Sequence, residues 1–177
     1  NLSQISWSGH LHRFIYTLVV SDTEDKVTLI MDKNLISFVA WSDFNIVSNG
    51  PDTALKTLEI ATKEWTNVSS FNYELLILNV DNTTSSIAMK TNVKARLLTK
   101  NEALNLSCVG GRNFCPSWLV TNLSIDNTEK LPFGFWLSTA VRQNVAWYIN
   151  YSKDLNGSTV YYLGQLGVRS VIELYKI

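Results

Sequence analysis

The sequence has no excess of charge and no long apolar run. Its 177 residues include 15 Lys+Arg and 15 Asp+Glu, so the formal net charge is zero, and no Lys/Arg cluster is longer than a pair. Binding to phosphate backbones or anionic membrane surfaces depends on a basic patch. We therefore expect neither nucleic acid nor a membrane as a partner. The longest apolar stretch, around Leu75 to Val80, is much shorter than the roughly 18 residues of a membrane-spanning helix.

Cysteine is also scarce. Two cysteines are too few to act as a scaffold, and a chain of this length with 46% hydrophobic residues can bury a core without crosslinks. Cys108 and Cys115 flank a pair of glycines that can close a hairpin and bring the two strands within disulfide reach. We predict a disulfide between them. A zinc site would need more ligands, and the only histidines, His10 and His12, are distant in sequence.

Motifs of catalysis and of metal binding are missing. The chain has no Gly-x-Ser-x-Gly, no phosphate-binding loop and no His-Glu-x-x-His. His10 and His12 have the spacing of a metal pair on a strand, but nothing nearby completes the site. The acidic run Asp22, Glu24 and Asp25 lacks the ligand spacing of a calcium loop. We expect no enzyme, no cofactor and no metal, although two carboxylates could still meet in the fold.

Asn-x-Ser/Thr sequons are frequent, about twice as many as chance would place in this composition. This excess favours N-glycosylation and passage through the secretory pathway, hence a secreted or cell-surface location. An Asn-rich and Ser/Thr-rich chain with accidental sequons is the alternative. The chain begins without Met or an apolar leader, so we expect that a signal was removed or is not included. The predicted glycosylation sites are Asn1, Asn67, Asn82, Asn105, Asn122, Asn150 and Asn156.

The first half of the chain predicts four strands and a helix. Apolar patterns favour strands over 10–20, 27–31 and 35–41, with a weaker one over 44–47. The period then changes, and a helix entered through Pro51 and Asp52 is predicted to continue towards Leu78. Its apolar positions recur at steps of three and four: Leu55, Leu58, Ala61, Trp65 and Val68.

The second half repeats this order. Strands are predicted over 87–98, 104–109 and 116–125, with a short one ending near Phe133. From Phe135 a helical period returns, is interrupted around residues 154–157, and continues to the end of the chain. The helical stripes favour core packing for Trp65, Trp136 and Trp147, with a carbohydrate or lipid site as the alternative.

The two halves, 1–84 and 85–177, are therefore predicted to form one α+β domain by structural duplication. The expected architecture is an antiparallel sheet of about eight strands with two long helices on one face. A β-sandwich with incidental helices is the alternative.

This order of elements resembles the peptide-binding α1/α2 platform of class I MHC molecules. The opening Gly9-His10-Leu11-His12-Arg13-Phe14 is similar to the family's first strand, and Gly50-Pro51-Asp52 is similar to the entry of its first helix. The segment from Val160 to Tyr175 resembles the end of the second helix. The resemblance implies an MHC class I-like platform domain and a role in binding host immune proteins.

Departures from the family pattern refine that implication. No Cys lies between Cys115 and Ile177, and Phe14 and Ala54 occupy positions where the family has peptide-binding tyrosines. Peptide presentation is therefore not expected, and association with β2-microglobulin is left open. With its many sequons, the chain resembles class I-like glycoproteins of cytomegaloviruses and poxviruses. That resemblance implies a non-catalytic immunoevasin that binds a natural killer cell receptor or its ligand. The alternatives are a host stress ligand, a lipid-carrying MHC-like protein, and a secreted lectin or hydrolase of another fold.

Overall fold

A computed structural model of the chain describes residues 17–66, 68–110, 112–121, 123, 134–162 and 166–177. Within these residues the fold is mostly β, with 41% strand and 14% helix. The strands are β1 Thr17–Asp22, β2 Lys26–Met31, β3 Phe71–Leu78, β4 Ser85–Val93, β5 Gly134–Arg142, β6 Val145–Asn150, β7 Leu155–Thr159, β8 Leu166–Gly167 and β9 Val171–Tyr175. The helices are α1 Asp52–Thr62, α2 Lys100–Asn105 and the 3-10 turn Ser117–Leu119.

The described strands form three sheets. One has the order β1-β2-β9, the second is the β3–β4 hairpin, and the third has the order β7-β6-β5-β8. All strand pairs are antiparallel except β5 with β8, which is parallel. Because β9 pairs with β2, the end of the chain closes the sheet that its first described strands begin.

The predicted fold class is wrong. α1 has 11 residues and α2 has 6, so the structure contains no pair of long helices lying across a sheet. The described part of the chain therefore does not form the MHC class I-like platform with its single eight-stranded sheet. The predicted boundary between the halves 1–84 and 85–177 stays a prediction.

α1 begins where the sequence predicts but ends early. Pro51 precedes its first residue, and Ala54, Leu58 and Thr62 repeat every four positions on its buried side. The helix ends at Thr62 instead of continuing towards Leu78, and the last part of the predicted helix, Phe71–Leu78, is the strand β3. Apolar residues recur too closely in Leu75-Leu76-Ile77-Leu78 to distinguish a helix from a strand.

The predicted helix from Phe135 is the β5–β6 hairpin. The first five residues of β5, 134–138, are all buried. The sequence therefore lacks the alternation of apolar and polar residues that marks a half-buried strand. Trp136, Val145 and Ile149 are aromatic or β-branched, which favours strands. The final predicted helix is likewise wrong, since β8 and β9 occupy its described part.

The other predicted strands have mixed outcomes. Strands form over 27–31, over the described part of 10–20 and over the first part of 87–98, whereas the remaining predictions are wrong for different reasons. The segment 35–41 does not belong to a strand ladder but bonds to residues between β7 and β9: Val39 N donates to Leu166 O (2.9 Å) and Trp41 N donates to Val160 O (2.8 Å). No strand forms over 44–47, α2 replaces part of the strand predicted over 104–109, and a 3-10 turn lies within 116–125. The strand predicted to end near Phe133, and the first part of the strand predicted over 10–20, lie outside the described residues.

The core includes two tryptophans from different parts of the chain. Trp41 Nε1 donates to Leu137 O (2.8 Å), and Trp136 Nε1 donates to Val39 O (2.7 Å). Both side chains are about 1% exposed or less. Each ring therefore buries its apolar surface while its one polar group is satisfied, which fixes the 39–41 segment against β5.

Candidate functional site: a groove beside β3

A buried arginine organises the site. Arg96 follows β4, and its backbone N and O both bond to Val171 at 2.8 Å. Its guanidinium makes a bidentate pair with Glu102 at 2.7 and 2.8 Å. Nε and Nη2 also donate to Glu173 Oε1, each at 3.1 Å. The planar guanidinium suits this fork of acceptors, so the side chain is held in one position.

Glu173, on β9, is the second centre of the network. Its side chain is 3% exposed, and Oε1 also accepts from Lys26 Nζ at 3.0 Å. Oε2 accepts from the Tyr175 hydroxyl at 3.0 Å. Two cations and a phenol therefore compensate for the burial of this carboxylate, which would otherwise be costly.

Glu102 is placed by a helix cap. Thr99 Oγ1 accepts from Glu102 N (3.1 Å), and Glu102 Oε1 accepts from Thr99 N (3.0 Å), which is a complete capping box at the start of α2. The same carboxylate pairs with Arg96. The beginning of α2 is thus tied both to its own cap and to the buried network.

The environment keeps the charged groups charged. Burial alone would lower the pKa of Arg96, but the hydrogen bonds and charges of Glu102 and Glu173 outweigh it and raise that pKa. Burial opposes ionisation of Glu102, but the bonds and charge of Arg96 prevail and lower its pKa below the ordinary value of 4.5. Burial also raises the pKa of Tyr73, to about 12, so its phenol keeps its proton.

This network lies in a groove with a volume of about 590 Å³. Because Arg96 and Glu173 are buried whereas Leu76, Met89 and Tyr175 are more than half exposed, the ion pairs form the floor and the apolar side chains form the rim. The start of α2 and two β5 residues, Ser138 and Thr139, also line the groove.

One wall of the groove is the edge of β3. Five consecutive residues, Asn72 to Leu76, line it. Neighbouring strand residues point to opposite faces of a sheet, so a wall that includes all five reaches both faces of β3, and we infer that it follows the strand's edge. β4 occupies the other edge of β3, and within the described residues these two strands form a sheet of their own.

The predicted disulfide is present: Cys108 and Cys115 are bonded. The prediction that the two cysteines lie on the strands of a hairpin is wrong, because Cys108 follows α2 and Cys115 precedes the 3-10 turn. Both cysteines are buried in a core cluster with Leu119 and Phe135. The bond therefore links two irregular segments over the β5–β6 sheet.

The predicted glycosylation sites differ in exposure. Asn82, Asn105 and Asn156 are exposed, whereas Asn150 is 5% exposed. The sequons at Asn1, Asn67 and Asn122 have their asparagines outside the described residues. None of the four described asparagines lines the groove.

The other residues considered for sites are separate from the groove. Trp136 is buried in the core as predicted, whereas Trp65 and Trp147 are half-buried. His10 and His12 lie outside the described residues. Glu24 and Asp25 lie in the exposed turn after β1, and nowhere in the described ranges do three or more His, Cys, Asp or Glu come together to hold a metal ion.

Sequence reasoning missed the groove. Its floor joins Lys26, Arg96, Glu102 and Glu173, and of these only Glu102 belongs to a recognisable motif, the Thr-x-x-Glu capping box. That motif would have placed a helix start at Thr99 but not the ion pairs. None of the helices in the described ranges has the length and apolar character needed to cross a membrane.

Comparison with protein-family models gives no match, and no curated protein or solved structure matches the chain significantly. The groove beside β3 is therefore the feature on which a functional proposal rests.

Proposed function

We propose that the protein is a non-catalytic binding protein of the secretory pathway that holds an extended segment of a protein partner in the groove. The observation that carries this proposal is the wall formed by the edge of β3 over Asn72 to Leu76. The immune role implied by the MHC resemblance required a platform with two long helices. We therefore retain a role in binding a protein partner and define that partner by the chemistry of the groove.

A strand edge offers backbone groups to an added strand. An extended peptide that lies along such an edge gains main-chain hydrogen bonds, and its side chains then determine specificity. The regular backbone pairing of β3 is with β4. β5 also lies close to β3, but no backbone hydrogen bond joins the groove edge of β3 to another described segment. The groove therefore supports strand addition at β3.

The lining of the groove indicates which segment would fit. Side chains of an added strand alternate, so one set would face the ion-paired floor and the other the apolar rim at Leu76 and Met89. The lining contains three basic and three acidic side chains, which balance: Lys26, Arg96 and Lys100 against Glu74, Glu102 and Glu173. The partner segment is accordingly uncharged, with small polar and apolar residues in alternation.

The ionisation of the groove favours binding over proton transfer. A general acid or base works best when its pKa lies near the pH of the reaction. Glu102 has a lowered pKa and Tyr73 has one of about 12, so neither changes its protonation near neutral pH. Arg96 is held as a cation between two carboxylates. These groups form a fixed floor that orients a ligand.

Selection from a displayed library of linear octapeptides tests the proposal. We expect the folded protein to enrich sequences that alternate apolar and small polar residues. An enriched peptide, made synthetically, should protect the backbone amides of β3 from hydrogen exchange. Protection elsewhere, with none at β3, would contradict the proposed site, and failure to enrich any peptide would contradict the function.

A matched pair of variants on one rung of the hairpin locates the contact. Leu76 lines the groove, whereas Ile87, its partner across the ladder, does not, and both side chains are exposed. Leu76→Asp should abolish binding of the enriched peptide and Ile87→Asp should retain it, with both variants keeping the wild-type melting temperature. Equal affinity of the two variants for the peptide would refute strand addition in the groove.

A further inference from the structure

We infer that the fold divides the described sequons into two classes: Asn82, Asn105 and Asn156 carry N-linked glycans, and Asn150 does not. The inference uses the secretory route of the proposed function but not the groove. In the modification, Nδ2 of asparagine bonds to the anomeric carbon of a lipid-diphosphate-linked oligosaccharide. The carbon–oxygen bond to the diphosphate breaks, the lipid diphosphate leaves with the electron pair, and the amide nitrogen gives up one proton.

The three acceptor asparagines lie on separate exposed parts of the surface. Asn82 is in the β3–β4 turn, which Asp81 holds by accepting from the backbone N of Thr83 and Thr84, each at 2.9 Å. Asn105 is the last residue of α2, and Asn156 is in β7. Because all three are exposed, a bulky glycan can extend from each into solvent without disturbing the core.

Asn150 instead holds the turn between β6 and β7. Its Oδ1 accepts from the backbone N of Ser152 and of Asp154, both at 3.0 Å. Its Nδ2 lies 3.4 Å from Asp154 Oδ2, to which it donates. A carboxamide that bonds to nearby backbone in this way acts as part of the turn. Nδ2 carries two protons, one of which faces Asp154, and a sugar on this nitrogen would have to fit beside that carboxylate.

The surroundings of this turn are also closed. Cys115 N donates to Lys153 O (3.0 Å), and Asn113 N donates to Asp154 Oδ1 (2.6 Å). The turn is thus docked on the disulfide loop, and Asn150 has only 5% of its surface exposed. A glycan on Asn150 would have to displace the disulfide loop. We therefore expect that the folded protein carries no glycan at this position.

This division has a consequence for the groove. Asn82, Asn105 and Asn156 do not belong to its lining. The three proposed attachment points therefore lie outside the ion-paired floor and the edge of β3.

Peptide-resolved mass spectrometry tests the inference. The chain is secreted from mammalian cells behind a fused signal sequence, so that it reaches the glycosylation machinery whatever its natural route. Enzymatic deglycosylation in heavy-oxygen water then converts each occupied Asn into labelled Asp. We expect label at Asn82, Asn105 and Asn156 and none at Asn150. Label at Asn150, or an unlabelled Asn at any of the other three positions, would overturn the inference.

Ser152→Ala is the decisive variant. It destroys the sequon but keeps the Asn150 carboxamide and the backbone N of residue 152. The mass of the secreted glycoprotein should therefore change only by the lost hydroxyl oxygen, with no loss of glycan, and its melting temperature should stay unchanged. Asn105→Gln and Asn156→Gln, as controls, should each remove one glycan. Asn150→Gln should lower the melting temperature without removing a glycan. Loss of one glycan in the Ser152→Ala variant would show that Asn150 is modified.

Because the fused signal sequence fixes the route, this result is independent of whether the groove binds peptide. A failure of the glycosylation inference would therefore not bear on peptide binding in the groove, and the reverse is also true.

Discussion

Arg96 shows how a single buried side chain can hold distant parts of the chain in one arrangement. It bonds to Glu102 six positions away and to Glu173, 77 positions away. A buried charge without partners would be strongly destabilising, so each carboxylate contributes chiefly by preventing that cost. The ion pairs also give the groove a floor whose position does not depend on flexible surface side chains.

The acid stability of the protein should depend on Glu102. Its pKa is lower in the folded state than its ordinary value of 4.5, so its ionised form stabilises the fold above that pH. This contribution is lost as the pH falls through the folded pKa. We expect the wild-type melting temperature to decrease more steeply below pH 4.5 than that of Glu102→Gln.

Thermal melts over the acid range measure this effect. Glu59→Gln is the control, because Glu59 is exposed on α1. If the melting temperatures of the wild type and of Glu102→Gln decreased equally as the pH is lowered, this result would contradict the role of Glu102.

The two strands of the β5–β6 hairpin each carry a tryptophan, and the two rings are buried to different extents. Trp136, on β5, is fully buried and contacts Tyr148 edge-on, with ring centroids 6.3 Å apart. Trp147, on β6, is half-buried, and Lys100 Nζ lies 4.2 Å from the centroid of its ring. Trp147 was predicted to pack on a helical stripe. It packs instead from a strand against the core cluster that contains Phe135 and Ile149, and Lys100 of α2 makes a cation–π contact with its ring.

Alanine substitutions should separate these two tryptophans. Trp136→Ala removes a fully buried ring and leaves Val39 O without its donor, so it should cost about 3 to 5 kcal/mol of unfolding free energy. Trp147→Ala removes a partly buried ring and should cost less, about 1 to 2 kcal/mol. Denaturant unfolding measures both values. Equal losses of unfolding free energy in the two variants would contradict the difference in burial between the two rings.

At the scale of the whole molecule, the last strand closes the fold. β9 pairs with β2, and Val171, Ile172 and Glu173 are all buried. Arg169, just before β9, is also buried: its guanidinium donates to Asn34 Oδ1 and to Leu119 O and lies 4.5 Å from the Phe135 ring. Burial lowers the pKa of Arg169 to about 9, with the charge of Asp32 opposing that shift. The C-terminal segment thus connects the first described sheet with the β5–β6 sheet.

Truncation tests this closing role. A chain ending at Ser170 loses the β9 ladder and half of the Arg96 network, so it should show no cooperative thermal unfolding. A chain ending at Tyr175 loses only Lys176 and Ile177, including the exposed bonds from Lys176 Nζ to Asp22 and Thr23. It should unfold cooperatively near the wild-type temperature. Circular dichroism distinguishes the two chains. A cooperative transition in the shorter one would show that β9 is dispensable.

Local features of the fold could be predicted from the sequence. The strand over 27–31, the start of α1 after Pro51, the turn over 81–84 and the Cys108–Cys115 disulfide are all present. Each depends on residues close together in the chain, such as a proline before a helix or an Asp that bonds to its own turn. Such interactions leave a signal in a short window of sequence.

Only the tertiary structure decided the rest. The residues of β5 and β9 that are buried on both faces show no period of two, so the sequence could not distinguish these strands from helices. The groove joins Lys26, Arg96 and Glu173, whose meeting depends on the pairing of β2 with β9. Because Val171–Tyr175 is a strand in that pairing, the second of the two predicted long helices does not form there. Contacts between distant residues are set by which surfaces bury each other, and that choice is made by the whole chain.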